Sequence, residues 1–159
     1  MKVLIVSDTH RNEDNLISAL TQEKNLDLLI HCGDVEGAEY EIEHYAGCNT
    51  VFVAGNNDFF SRLPRELELT VEDYKVWVTH GHNYYVNTNP EFIRKEARLR
   101  SADIVIYGHT HRPVIEKKDD LIVINPGSLT YPRQEGRRPS YVVLEVEKKD
   151  IKRLGIVYL

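Results

Sequence analysis

Six times in this chain a short, almost unbroken apolar run stops abruptly in a loop of polar side chains. "KVLIV" gives way to Ser7, Asp8, Thr9 and His10, "LDLLI" to His31, Cys32, Gly33 and Asp34, and "TVFVA" to Gly55, Asn56, Asn57 and Asp58. "YKVWV" leads to Thr79, His80, Gly81 and His82, "DIVIY" to Gly108, His109, Thr110 and His111, and "LIVI" to Asn125, Pro126, Gly127 and Ser128. Runs of this length and continuity are the pattern of strands covered on both faces, so the chain must set its sheet between other layers. Each strand ends where a side chain able to bind something begins.

Helical spacing fills the gaps. After Asn12, "EDNLISALTQEK" places Leu16, Ile17 and Leu20 on one face, with acidic residues in the first turn where they favour the helix dipole. "NPEFIRKEARLR" offers Asn89 as N-cap and Pro90 as the first helical residue, and is expected to bury Phe92, Ile93, Ala97 and Leu99. A weaker helix is expected from Ala38 to Ala46. This alternation predicts βαβ crossovers and a parallel sheet in the first half. The second half reads as three hairpins, "LELTVEDYKVWV", "PVIEKKDDLIVI" and "YVVLEVEKKDIKRLGIVYL". An α/β (α+β) fold follows, with two sheets packed face to face and helices on the outer faces.

With 159 residues and 42% hydrophobic side chains, the chain is expected to form one domain, residues 1–159, burying roughly two thirds of its unfolded surface. No run is long enough for a signal peptide or a spanning helix, so a cytoplasmic location and no membrane partner are expected. Cys32 and Cys48 stand outside any CxxC pattern and read as reduced and structural. A net charge of −5 argues against a stable nucleic-acid partner. One local exception is "YPRQEGRRP", which gathers Arg133, Arg137 and Arg138 and offers a surface for phosphate. Tyr84, Tyr85 and Tyr131 are candidates for walls of the same crevice.

In open α/β sheets, binding residues gather beyond the carboxyl ends of the strands. That rule brings Asp8, His10, Asp34, Asn56, His80, His109 and His111 toward one crevice. Carboxylates, imidazoles and an amide oxygen suit manganese, iron, nickel, cobalt or zinc better than calcium or magnesium. Seven ligands exceed the needs of one ion, and two ions sharing a carboxylate would use them. His31 and His44 lack such a setting and read as structural or surface residues.

The motifs "SDTH", "HCGD", "VAGNND", "VTHGH", "YGHTHRP" and "NPGSLTYPR", in that order, make the chain resemble the calcineurin-like metallophosphoesterases, and within them the small bacterial and archaeal phosphodiesterases. The resemblance spans nearly the whole sequence. It implies a β-sandwich flanked by helices and a first metal held by Asp8, His10, Asp34 and His111. It implies a second held by Asp34, Asn56, His80 and His109, with Asp34 bridging. Manganese is the expected ion, with nickel, cobalt, iron or zinc as alternatives.

The chemistry expected of such a centre follows from charge. Two divalent ions against two carboxylates leave it positive by about two charges, which draws a phosphate ester into an acidic protein. A water bridging ions roughly 3.5–4 Å apart would be present as hydroxide and attack phosphorus in line. The expected reaction is hydrolysis of small phosphate diesters. Larger relatives carry a proton-donating histidine after the metal-binding asparagine, whereas this chain has Asn57, followed by Asp58. An amide donates a hydrogen bond but cannot deliver a proton, so His82 is the candidate substitute acid. The other readings are a protein-binding scaffold, as in the related retromer subunit, and, lower, a nuclease; a homo-oligomer is left open.

Overall fold

The computed structural model describes residues 1–159. The first half alternates as expected: β1 (Lys2–Val6), α1 (Asp14–Gln22), β2 (Leu28–His31), α2 (Glu39–Ala46) and β3 (Asn49–Phe52). These strands run parallel, with Val3 opposite Leu28 and Leu28 opposite Asn49. Then follow β4 (Glu66–Val71), β5 (Tyr74–Thr79), a single 3₁₀ turn at His82–Tyr84, α3 (Glu91–Leu99) and β6 (Ile104–Ile106). The chain closes with β7 (Val114–Lys118), β8 (Leu121–Asn125), β9 (Ser140–Glu147) and β10 (Asp150–Tyr158). Two five-stranded sheets result, in the orders β10-β9-β1-β2-β3 and β4-β5-β6-β8-β7.

All three hairpins form, as β4–β5, β7–β8 and β9–β10. The reading of the second half as purely antiparallel needs correction, because β5, β6 and β8 lie parallel with Val76, Ile104 and Ile122 in register. The reason is α3, which carries the chain back over the sheet between β5 and β6 as a βαβ crossover. The last hairpin returns to the first sheet, where β9 pairs antiparallel to β1.

Successive residues of a strand face opposite sides, and here both sides are dry. Val3, Ile5 and Ile30 of the first sheet meet Val76, Val78, Ile104, Ile106 and Ile124 of the second in the layer between the sheets. The alternate residues Leu4, Val6 and Leu29 pack under Leu16, Ala19 and Ile42 of α1 and α2, while Trp77, Val105 and Val123 pack under Ile93 and Ala97 of α3. Each large aliphatic side chain buried in this way contributes about 1.5–3 kcal/mol, which is why the strand sequences are apolar without interruption.

Two helix faces differ from the expected ones. In α1 Ala19 is buried with Leu16 while Ile17 is exposed. In α3 Ile93 and Ala97, four residues apart, face the sheet; Phe92 and Leu99 fall off that stripe and are 54% and 71% exposed. The Asn89 side chain accepts the Glu91 N–H at the start of α3, as a capping residue does. No helix is long and apolar enough to cross a membrane.

Candidate metal centre

The polar loops of the two sheets are stitched together across one end of the sandwich. The N–H of Asp8 donates to the carbonyl of Gly33 and that of Gly108 to His80, while the Ser128 hydroxyl donates to the carbonyl of Asp8. Two glycines permit this approach. A Cβ at Gly55 would lie 2.1 Å from Asp34 Oδ1, and one at Gly108 would lie 2.0 Å from Ser7 Oγ. The backbone is strained at the candidate ligand positions themselves. Asp8, His10, Asp34, His109 and His111 all have φ between 50° and 65°, a region non-glycine residues visit rarely and retain mainly where surrounding structure enforces it.

Three imidazoles are oriented by what their outer nitrogens touch. His10 Nδ1 donates to Glu36 Oε1 at 2.7 Å, His80 Nδ1 to the carbonyl of Cys32 at 2.7 Å, and His111 Nδ1 to the carbonyl of Tyr131 at 2.7 Å. Each Nε2 is thereby left facing inward, the arrangement typical of histidine ligands. His111 Nε2 lies 2.9 Å from Asp8 Oδ1, His80 Nε2 3.5 Å from Asp34 Oδ2, and His10 Nε2 3.8 Å from Asp34 Oδ2 and 3.9 Å from Asp8 Oδ1.

Asp8 Oδ1 and His10 Nε2 are buried with no hydrogen-bond partner. His80 Nε2 also faces the amide oxygen of Asn56 at 3.1 Å, two acceptors that repel unless a cation or proton lies between them. Buried polar atoms of this kind are costly without a partner, and divalent cations bound here would supply one. Two compact groups could hold one: Asp8, His10 and His111, and Asp8, Asp34 and His80. Asp8 is common to both, and Asp34 reaches the imidazoles of both.

Charge within the centre is set by burial and by neighbours. Burial pushes the Asp8 carboxyl up, but the imidazoles of His111 and His80 outweigh it and hold Asp8 down at about 2. His109 is pushed down to about 4 by burial and by His80, and is therefore neutral with a lone pair to offer. It stands outside the two compact groups, its ring 5.1 Å from that of His80 and its backbone N–H donating to Asp8 Oδ2. His82 lies beside this pair, its ring 5.4 Å from His80 and 6.1 Å from His109, and burial lowers its pKa.

Several other residues take more definite places. Asn57 donates to both oxygens of Asp34. Asp58 is buried, and its carboxylate accepts the backbone N–H groups of Asp34, Val35, Glu36 and Gly55, fixing two ligand loops against each other. His31 is buried beneath the centre, accepting the Gly33 N–H and bonding Thr9 Oγ1, and burial pushes it down to about 4. His44 lies at the end of α2, away from the centre. Both cysteines are free.

Of the tyrosines, only Tyr131 meets the centre, its ring 5.1 Å from that of His10. Tyr84 packs edge-on against Trp77 and donates to Glu66, and Tyr85 packs against Phe92. The arginine loop divides. Arg133 and Arg137 face a cavity beside Tyr131, whereas Arg138 turns away to the carbonyls of Tyr158 and Leu159. Sequence reasoning missed Glu36 and Ser128. The first had a signal, an acid two residues beyond a strand-end Asp; the second lay inside a motif whose hydroxyl had no assigned task.

The chain belongs to the calcineurin-like phosphoesterase superfamily, whose domain matches residues 1–149. It is 38% identical over 148 residues to the probable metallophosphoesterase YsnB of Bacillus subtilis, covering 92% of this chain and 85% of that one. It is 32% identical over 178 residues to a phosphodiesterase of Methanocaldococcus jannaschii, covering 97% and 98%. A crystal structure from Streptococcus pneumoniae, described as a predicted phosphoesterase, superposes with a TM-score of 0.84 at 25% identity, covering 99% of this chain and 88% of that one.

Proposed function

We propose that the chain, acting as one domain, is a phosphodiesterase that hydrolyses small diesters at a centre of two divalent ions, manganese first among them. The observation that carries this reading is the set of three inward Nε2 atoms, on His10, His80 and His111, converging on the buried carboxylates of Asp8 and Asp34. Asp8, His10, Asp34 and His111 would hold one ion, and Asp34, Asn56, His80 and His109 the other. When bound, such ions acidify water for attack on phosphorus and neutralise the phosphoryl oxygens.

The chain's own residues do the rest. Asn57 fixes the plane of the Asp34 carboxylate, and Asp58 holds the loops on which Asp34 and Asn56 ride. His82 is the proton carrier nearest the His80 and His109 side, and protonates the leaving oxygen. Purified protein supplied in turn with Mn, Ni, Co, Zn and Mg, and assayed on a panel of mono- and diesters, tests the reading. Hydrolysis of diesters that rises with added metal is expected; no hydrolysis of any ester with metal bound would overturn it.

That second outcome would favour a scaffold. The observation on its side is the pair Phe59 and Phe60, 79% and 101% exposed directly after the Asn56 loop, where apolar surface is available to a protein partner.

A further inference from the structure

We propose that the cavity beside the His10 and His111 side of the centre is an anion subsite that receives a second phosphate of the substrate. The preferred substrate would then be a small phosphodiester that also bears a phosphomonoester group. This rests on the phosphodiesterase reading and narrows its substrate class.

The cavity, about 550 Å³, is lined by Arg112, Thr130, Tyr131, Pro132, Arg133 and Arg137. Elsewhere in the chain Arg94, Arg98, Arg100 and Arg153 each lie against a carboxylate. The three arginines of the cavity, like Arg11, Arg62, Arg65 and Arg138, have none within ion-pair distance, but these three line one space together. Three like charges facing one space repel each other, and an anion with several oxygens relieves that repulsion through planar, forked hydrogen bonds.

The backbone holding these arginines is the same backbone that holds the centre. The Arg133 N–H donates to the carbonyl of His111 at 2.9 Å, and Arg112 Nε donates to the carbonyl of Arg133 at 3.3 Å. The N–H groups of Thr130 and Tyr131 donate to Ser128 Oγ, which itself donates to the carbonyl of Asp8, and the Thr130 hydroxyl donates to that of Thr9. Arg137 is set by a turn in which its N–H donates to the carbonyl of Gln134 at 3.1 Å. The backbones of subsite and centre are therefore in fixed register. Tyr131, exposed and 5.1 Å from the His10 ring, stands between them and offers an aromatic face to the group joining the two phosphates. Three arginines in one cavity suit a short ligand; a polymer would need basic surface along a track, and the net charge of −5 denies it.

Two thymidine esters make the test, the p-nitrophenyl ester of thymidine 5′-phosphate with and without a 3′-phosphate. Their leaving group is identical, so the ratio of their kcat/KM values reads the second phosphate alone. In the manganese-loaded wild type the 3′-phosphorylated ester should win by about tenfold or more, the worth of one charge-assisted pair. In Arg133→Ala and Arg137→Ala the ratio should fall toward one, and because it is taken within each variant, losses common to both esters cancel. Calorimetry supplies an arm independent of turnover. Thymidine 3′,5′-bisphosphate should bind the wild type about tenfold tighter than thymidine 5′-monophosphate, with the advantage lost in the same variants. Hydrolysis of both esters at equal kcat/KM, with equal affinities for the two nucleotides, would overturn the subsite and leave the phosphodiesterase reading standing. Tighter, arginine-dependent binding of the bisphosphate without hydrolysis of either ester would support the subsite and sink the phosphodiesterase reading.

Discussion

Asn57 grips Asp34 with both of its nitrogens: the backbone N–H reaches Oδ1 at 2.8 Å and the side-chain Nδ2 reaches Oδ2 at 2.6 Å. The second of these oxygens is the one that His80 and His10 face, at 3.5 and 3.8 Å. One amide thus sets the plane of the carboxylate that lies between two imidazoles. Larger relatives are expected to place a histidine here; in this chain the position serves the Asp34 carboxylate, and under the proposed function it would tie catalysis to metal affinity through a residue that need never touch phosphorus.

Replacing Asn57 by Ala should therefore weaken metal binding. Loss of an outer partner to a ligand typically costs about 10–100-fold in affinity, and calorimetric titration of the metal-free variant with manganese reads it directly. Affinity equal to wild type would show that Asp34 keeps its orientation unaided.

Asp34 itself should be the least replaceable ligand, because it alone is shared by both ions in the proposed assignment. Asp34→Asn keeps the shape but removes a negative charge and one acceptor. Metal bound per chain should drop by about one ion or more, and diester hydrolysis by about a hundredfold or more. A variant with two ions per chain and near wild-type rate would remove Asp34 from the bridging place.

What was legible beforehand was whatever residue type and strand ends carry. Asp8, His10, Asp34, His80, His109 and His111 each follow an apolar run, and a parallel sheet delivers such positions to one edge. The partners of these ligands were not legible. Glu36 meets His10 and Asp58 meets the Asp34 loop only because strained backbone between them brings distant peptide groups within reach. The same limit hid the parallel core of the second sheet, since β6 is three residues long and its crossover through α3 looks locally like any helix after a hairpin. Helix faces failed for a smaller reason: Phe92 and Leu99 are as apolar as Ile93, and only the sheet beneath decides which of them is covered.

His31 gives the fold a defined acid limit. Its pKa is pushed down to about 4 by burial, against 6.5 for the free side chain. As pH falls below about 6.5 the unfolded chain takes up the proton that the folded chain refuses, so stability present above that pH is lost progressively down to about 4. The slope is about 1.4 kcal/mol per pH unit and the total about 3 kcal/mol. His109 adds a slope of the same sign, so the contribution of His31 is the difference between wild type and His31→Gln. Urea unfolding of metal-free protein at several pH values from 7 to 4.5 should show the wild type losing stability faster than the variant as the pH falls. Parallel profiles would mean that His31 protonates in the folded protein at its ordinary pKa.

The source of the leaving-group proton separates His82 from a purely supporting role. Its ring stands beside both His80 and His109, its Nδ1 is buried without a partner, and burial and the nearby His80 lower its pKa, which makes its protonated form the readier donor. An alkoxide leaves only with a proton, whereas the phenolate of an acidic phenol leaves without one. Wild type should therefore hydrolyse diesters of acidic phenols faster than alkyl diesters, and His82→Gln should widen that gap. Removing a well-placed acid costs typically ~10²–10⁴-fold where the proton is needed, so alkyl diesters should slow by about that amount and phenolic diesters should change little. If His82 serves only to pack His80 and His109 in place, both classes should slow together and metal affinity should fall with them. Rates on the two diester classes, taken with the metal content of the same preparations, decide between the two: an equal loss on both would strip His82 of the proton and assign that step to water or to the substrate.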